Sequence, residues 1–110
     1  MHTLAILSQK GGSGKTTLAL HLATFAESIG QAAAVIDIDP QASAAMWKDL
    51  RKTETPVVVS IPAARLQQAL DAARGAGADL AIIDSAPQAG DVALAAAEAA
   101  DFILVLPQIA

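Results

Sequence analysis

The sequence predicts an α/β fold in which a parallel sheet is flanked by helices. Strand-like apolar runs alternate along the chain with helix-like segments, a rhythm typical of parallel sheets with helices on their faces. The runs are continuously apolar rather than alternating, as expected of strands covered on both faces. Because 54% of the residues are hydrophobic and only 3% are aromatic, we expect a single domain packed from small aliphatic side chains.

Each apolar run predicts one strand. The five strands are expected near residues 3–8, 33–38, 57–60, 80–84 and 102–106. The first helix is predicted to run from a Gly-rich turn to about Ser28, and Gly30 is a suitable residue to end it. An apolar stripe on this helix is expected to share one face: Leu18, Leu22, Phe25 and Ile29.

Three further helices are predicted between the later strands. One begins near Pro40, a good first-turn residue, and carries Met46, Trp47 and Leu50. The next begins near Pro62, and its apolar face consists of Leu66, Ala69, Leu70 and Ala73. The last, from about Asp91 to Ala99, is nearly all alanine, which would allow close packing on the sheet.

The segment from Lys10 to Thr17, which reads KGGSGKTT, lies between the first strand and the first helix. Strand, Gly-rich turn and helix in this order favour a phosphate-binding loop. Glycines let the backbone turn its N–H groups inward, and the start of the helix adds free donors and a partial positive charge. Lys15 can reach the β- and γ-phosphates of a nucleotide, and the Thr16 hydroxyl can ligate Mg²⁺.

The pattern K-G-G-x-G-K-[ST] resembles the deviant Walker A box of the ParA/MinD family of ATPases. It departs from the general phosphate-loop pattern because Gln9 replaces the first Gly and a second lysine, Lys10, begins the turn. In that family the extra lysine crosses a dimer interface to the partner's nucleotide, and the resemblance implies this role for Lys10. The alternative is a solvated loop lysine. The resemblance also implies that ATP is contacted by Lys10, Gly11, Gly12, Ser13, Gly14, Lys15, Thr16 and Thr17.

Two carboxylates, Asp37 and Asp39, follow the second apolar run in the string D-I-D-P-Q. Ligands bind at the carboxyl ends of parallel strands, so both are expected beside the Gly-rich turn, on one face of the strand. The string resembles the switch I box of the same family. That implies that Asp39 orients the attacking water and supports the Mg²⁺ shell, with Asp37 in support. Capping of the helix near Pro40 is a simpler and compatible function.

A third motif, Asp84-Ser85-Ala86-Pro87, ends the fourth apolar run. An apolar strand that ends in Asp is the Walker B pattern, which holds Mg²⁺ directly or through water, and Asp84 is the expected ligand. The residues after Asp84 match the family's string only loosely. Alone, this motif is weakly specific, because an apolar run that ends in Asp occurs in many α/β proteins. It supports the resemblance because the three motifs follow one another in the family's order.

Composition excludes several related classes of protein. The chain has no Cys, which fits a reducing cytoplasm and excludes Cys-ligated iron–sulfur or zinc sites. It has no Tyr, which argues against related kinases that autophosphorylate a Tyr-rich tail. The net charge is −4, and its only basic cluster is predicted to be a solvated helix face: Lys48, Arg51 and Lys52. No stretch has the length of a membrane span, and because Met1 leads straight into the first predicted strand, we expect no signal peptide.

The resemblance covers nearly all of the chain but only about the N-terminal half of a typical family domain. We therefore expect residues 1–110 to form the N-terminal portion of a ParA-like domain, of the short type without a preceding DNA-binding domain. The missing part would bind the base and carry most of the DNA-contacting residues. A sheet that stops at the fifth strand would expose an edge.

The resemblance implies a cytoplasmic ParA-like ATPase for plasmid or chromosome partitioning. Such a protein would bind ATP and Mg²⁺, dimerise on the nucleotide, associate with DNA non-specifically and hydrolyse ATP when a centromere-binding adaptor stimulates it. No membrane partner is expected. Two alternatives stay open: an ATPase that positions another cellular cargo, and a truncated interaction module without enzymatic activity.

Overall fold

The five predicted strands form one parallel sheet in a computed structural model that describes residues 1–8, 13–38, 56–85 and 90–106. The strand order is β3-β2-β4-β1-β5. The strands are β1 (His2–Ser8), β2 (Ala33–Asp37), β3 (Val57–Ser60), β4 (Leu80–Asp84) and β5 (Phe102–Leu106). The predicted α/β fold with a parallel sheet is therefore confirmed.

Helices lie on both faces of this sheet. They are α1 (Ser13–Ser28), a 3₁₀ turn (Ala63–Arg65), α2 (Leu66–Gly75) and α3 (Gly90–Ala99). The end of α1 is as predicted, because Gly30 follows it with φ +84°, a left-handed conformation that glycine adopts without strain. The helix predicted from Pro40 lies outside the described residues, as do Met46, Trp47 and Leu50.

Two apolar cores lie on opposite faces of the sheet. On one face α1 packs against β1, β2 and β4 through the side chains of Ile6, Val35 and Ile82. On the other face α2 and α3 pack against the same three strands through Ala5, Ile36 and Ile83. These strands are therefore covered on both faces, which explains why their sequences are continuously apolar.

The apolar stripe predicted on α1 is not the buried face of the helix. Phe25 is 63% exposed and Ile29 is 59% exposed, while Leu18 and Leu22 are only partly buried. The helix instead buries the neighbouring stripe, which consists of Ala19, Leu20, Ala23 and Ala26. Small side chains let a helix approach a sheet closely, so the alanine stripe packs on the strands and the bulkier stripe is displaced to the side.

Strand β5 is one of the two edge strands, and unlike the edge strand β3 it is open on both faces. The side chains of Phe102, Ile103, Leu104 and Val105 are all exposed. The exposed edge expected from the sequence is thus present at β5. Its apolar character indicates a strand that is built to be covered, as edge strands of isolated sheets usually carry charge.

Carboxylates join the elements at the amino-terminal edge of the sheet. Asp101 Oδ2 accepts a hydrogen bond from the Thr3 N–H at 2.8 Å. Asp79 Oδ2 accepts one from the Ala32 N–H at 2.8 Å, just before β2. Glu27 Oε1 accepts a third from Ala33 at 3.0 Å. These acidic groups are used in structure, at the edge opposite the predicted site.

We expect Asp101→Ala to lower the free energy of unfolding by about 1–2 kcal/mol, since it removes the acceptor of the Thr3 N–H. Thr3 is only 3% exposed, so water does not readily replace the lost partner. The matched control is Asp71→Ala on α2, whose exposed pairing with Arg74 should contribute less than about 0.5 kcal/mol. Urea unfolding of both variants checks this, and equal midpoints would contradict it.

Candidate functional site

The candidate site lies at the carboxyl edge of the sheet, where β1, β2 and β4 end and α1 begins. β1 ends at Ser8, and α1 starts at Ser13, so the Gly-rich segment connects the two. The backbone of α1 therefore carries Lys15 and Thr16 in its first turn. The amide N–H groups of a first helical turn are unpaired within the helix and favour anions.

Two buried carboxylates lie side by side at this edge. Asp37 ends β2 and Asp84 ends β4, and the two residues are direct partners in the register of the sheet. Both are 0% exposed. Side chains alternate along a strand, and Val35 and Ile82 belong to the core beneath α1. The two carboxylates therefore lie on the face of the sheet that α1 covers, at the edge where α1 begins.

Two acidic residues buried this close together are best accommodated where positive charge lies nearby. Buried like charges repel each other and lose their hydration, so a fold retains them where cations or dipoles compensate. The amino-terminal end of α1 supplies a partial positive charge, and Lys15 belongs to that turn.

The donor chemistry of the pair fits Mg²⁺. Within the described parts of the chain, no group of three or more His, Cys, Asp or Glu side chains is placed to hold a metal ion. A Mg²⁺ ion here would complete its shell with phosphate oxygens and water, which is how this ion is usually held.

A row of hydrogen bonds ties the strand ends together. The Ile61 N–H donates to the Asp37 carbonyl at 3.0 Å, and the Ile38 N–H donates to the Asp84 carbonyl at 3.0 Å. The Ser85 hydroxyl donates to the Ile6 carbonyl at 3.1 Å. The row links β3, β2, β4 and β1, and its last member is a side chain rather than a backbone group.

An apolar groove of about 460 Å³ lies elsewhere, between β3 and α2. Its walls are mostly alanine, valine and isoleucine side chains, including Val57 and Val59. Glu27, which also lines it, already accepts the Ala33 N–H. Among the described residues that line the groove, none has a side chain that can donate a hydrogen bond to phosphate, so the strand ends are the better candidate for a nucleotide site.

The structure describes some of the residues predicted to bind ATP and Mg²⁺. Ser13, Gly14, Lys15, Thr16 and Thr17 lie in the first turns of α1, and Asp84 ends β4. Outside the described residues lie Lys10, Gly11, Gly12 and Asp39. The roles assigned to all of these residues stay predictions. Sequence reasoning missed Ser85, for which the only signal was a small hydroxyl residue directly after the strand-ending Asp.

Comparison with known families gives one match that spans most of the chain. The family of CobQ/CobB/MinD/ParA nucleotide-binding domains matches residues 4–102. This range includes the Gly-rich segment, both strand-ending carboxylates and every helix described above. Within the described parts of the chain, none of the helices is long and apolar enough to cross a membrane.

Several curated proteins are similar to this chain. The chromosome-partitioning ATPase Soj of Thermus thermophilus is 44% identical over 41 residues, which cover 37% of this chain and 16% of Soj. The chromosome partitioning protein ParA of Caulobacter vibrioides is 39% identical over 54 residues, which cover 49% of this chain and 20% of ParA.

A third relative matches over a longer range. The maintenance of carboxysome distribution protein A of Gloeobacter kilaueensis is 33% identical over 105 residues, which cover 94% of this chain and 47% of that protein. The chain thus spans about half the length, or less, of the relatives it matches.

Proposed function

Because this chain belongs to the CobQ/CobB/MinD/ParA family of nucleotide-binding domains, we propose that it is an ATPase of the ParA type. One observation carries the proposal: Asp37 and Asp84 are paired and fully buried on the face of the sheet where α1 begins. The lysine-containing Gly-rich segment leads directly into that helix. Two buried acidic residues next to the positive end of a helix favour a ligand that contains phosphate and is bound together with a metal ion.

The phosphate chain of ATP would be bound by the Gly-rich segment. Its glycines present backbone N–H groups, and the start of α1 adds further donors. Lys15 would donate to the β- and γ-phosphate oxygens, where its charge offsets theirs. These contacts fix the γ-phosphate beside the ends of β2 and β4.

Thr16, Asp84 and Asp39 are the residues that would hold Mg²⁺. When bound, the ion neutralises charge on the β- and γ-phosphate oxygens. Asp39 would accept a hydrogen bond from a water molecule and aim its oxygen at the γ-phosphorus. The water oxygen would bond to that phosphorus as its bond to the β–γ bridging oxygen breaks, and a proton of the water would pass to a phosphate oxygen or to solvent, which releases ADP and inorganic phosphate. Positioning and charge neutralisation are most of what this reaction needs.

Assembly and partners form the finer part of the proposal. Two copies would associate when ATP is bound, with Lys10 of each reaching the nucleotide of the other. The dimer would bind DNA non-specifically through a part of the protein beyond these residues, and a centromere-binding adaptor would stimulate hydrolysis. The cell would use this cycle in the cytoplasm to segregate a plasmid or chromosome. The names of the Thermus and Caulobacter relatives support this task.

Positioning of another cellular cargo is the second candidate function. The observation that favours it is the relative named for carboxysome distribution, which matches over 105 residues rather than 41 or 54. Both candidate functions use the same ATPase site. Fluorescent tagging separates them: a partition ATPase redistributes with plasmid or chromosome origins, while a cargo-positioning ATPase redistributes with a protein body.

ATP turnover by the protein as its gene encodes it tests the proposal. The wild type should bind and slowly hydrolyse ATP with Mg²⁺. Asp39→Ala should still bind ATP but hydrolyse it at least about 100-fold more slowly, since the carboxylate that positions the attacking water is lost. Asp71→Ala, an exposed carboxylate on α2, should match the wild type.

Two results would count against this account. A wild-type protein that binds no ATP by calorimetry overturns the proposed function and favours a truncated interaction module without enzymatic activity. Wild-type turnover in Asp39→Ala overturns only the assignment of Asp39.

A further inference from the structure

Ser85 is a buried hydroxyl residue that the proposed chemistry does not use. It follows Asp84 directly and is 0% exposed. Its Oγ donates to the Ile6 carbonyl at 3.1 Å, a contact between residues that are 79 positions apart in sequence. A single hydroxyl therefore joins the end of β4 to β1.

The position of this bond matters because of what lies on either side of it. Ile6 is the register partner of Asp84, so the bond is made at the level of that carboxylate. β1 continues from Ile6 to Ser8 and then into the Gly-rich segment. β4 itself ends at Asp84, so the hydroxyl extends the attachment of β4 to β1 one residue past the strand.

The neighbouring attachments are made differently. β3 is tied to β2, and β2 to β4, by backbone N–H groups of Ile61 and Ile38. Those backbone bonds do not depend on the type of side chain. The attachment of Ser85 to β1 does, because alanine has no donor and cysteine is a poor one. Residue 85 is therefore a position where the type of side chain affects how the end of β4 is held against β1.

We propose that Ser85 is a positioning residue whose hydroxyl bond to the Ile6 carbonyl holds the end of β4, and with it Asp84, in place against β1. The proposal rests on the proposed ATPase function. Ser85 does not touch the nucleotide; it acts through Asp84. Groups that orient metal ligands in this way typically contribute 10–100-fold to metal affinity or activity.

The test measures nucleotide binding rather than turnover. A slowly hydrolysed ATP analogue is titrated into the protein by calorimetry, once with Mg²⁺ and once with EDTA. For Ser85→Ala we expect about 10-fold weaker binding with Mg²⁺ and unchanged binding with EDTA. Ser85→Thr, which keeps the hydroxyl, should restore binding with Mg²⁺, and Ser85→Cys should resemble Ser85→Ala.

A matched control separates positioning from stability. Asp101→Ala also removes a hydrogen bond to β1, but at the opposite edge of the sheet. It should lower stability and leave both titrations unchanged. A merely structural role for Ser85 would make Ser85→Ala behave like this control.

The outcomes distinguish the two proposals. If the wild type binds the analogue and Ser85→Ala binds it equally well with Mg²⁺, the positioning role is wrong and the ATPase function stands. Equal weakening with Mg²⁺ and EDTA also overturns the positioning role, since Asp84 is then not the group affected. If the wild type binds no analogue, both proposals fall.

Discussion

Lys15→Ala should abolish detectable ATP binding. Lys15 lies in the first turn of α1, next to the strand ends where Asp37 and Asp84 are buried. Its removal takes away a charge-assisted contact to the phosphates. Truncating one member of a desolvated charged pair typically costs several kcal/mol, so affinity should fall by roughly 100-fold or more.

Calorimetry with ATP and Mg²⁺ measures this loss. Arg74→Ala is the matched control, because Arg74 is an exposed cation in the last turn of α2 and pairs only loosely with Asp71 at 3.4 Å. It should bind ATP as the wild type does. Thr16→Ala should weaken binding with Mg²⁺ more than binding with EDTA. Wild-type affinity in Lys15→Ala would show that the Gly-rich segment is not a phosphate-binding loop.

The strands were predictable because their physical signal is strong. Each is a short, largely apolar run, and every observed boundary lies within a residue of its prediction. The buried face of α1 was not predictable in this way. That helix is apolar around much of its surface, so the Phe25 stripe and the Ala23 stripe have the same helical period. Close packing on the sheet, which sequence does not display, decided between them.

The candidate site was predictable as a set of strand ends but not as an arrangement. Asp37 and Asp84 were expected at the carboxyl edge because each ends an apolar run. That they are direct partners depends on β4 lying between β1 and β2, an order that the succession of strands along the chain does not reveal. The bond from Ser85 depends on the same order. The pairing of strands that are distant in sequence therefore could not be predicted from the sequence.

The second large effect concerns Lys10, the additional lysine of the Gly-rich segment. Within one subunit, the first turn of α1 already contains Lys15 and has the positive end of the helix dipole. We therefore expect Lys10, the second lysine at the start of the turn, to contact a phosphate across a two-fold interface. Two triphosphates that face each other carry large like charge, and one lysine from each side offsets it.

Lys10→Ala should therefore keep ATP binding by the monomer near normal while it removes ATP-dependent dimerisation and adaptor-stimulated hydrolysis. Lys10→Arg should not rescue dimerisation fully, since a planar guanidinium does not replace a compact ammonium. Sedimentation of wild type and variants with a slowly hydrolysed ATP analogue measures the effect, in the protein as its gene encodes it. Arg74→Ala again serves as the control for loss of one cation, and it should dimerise normally. If Lys10→Ala dimerises with the nucleotide dependence of the wild type, Lys10 is a solvated loop residue and the interface must be held by other groups.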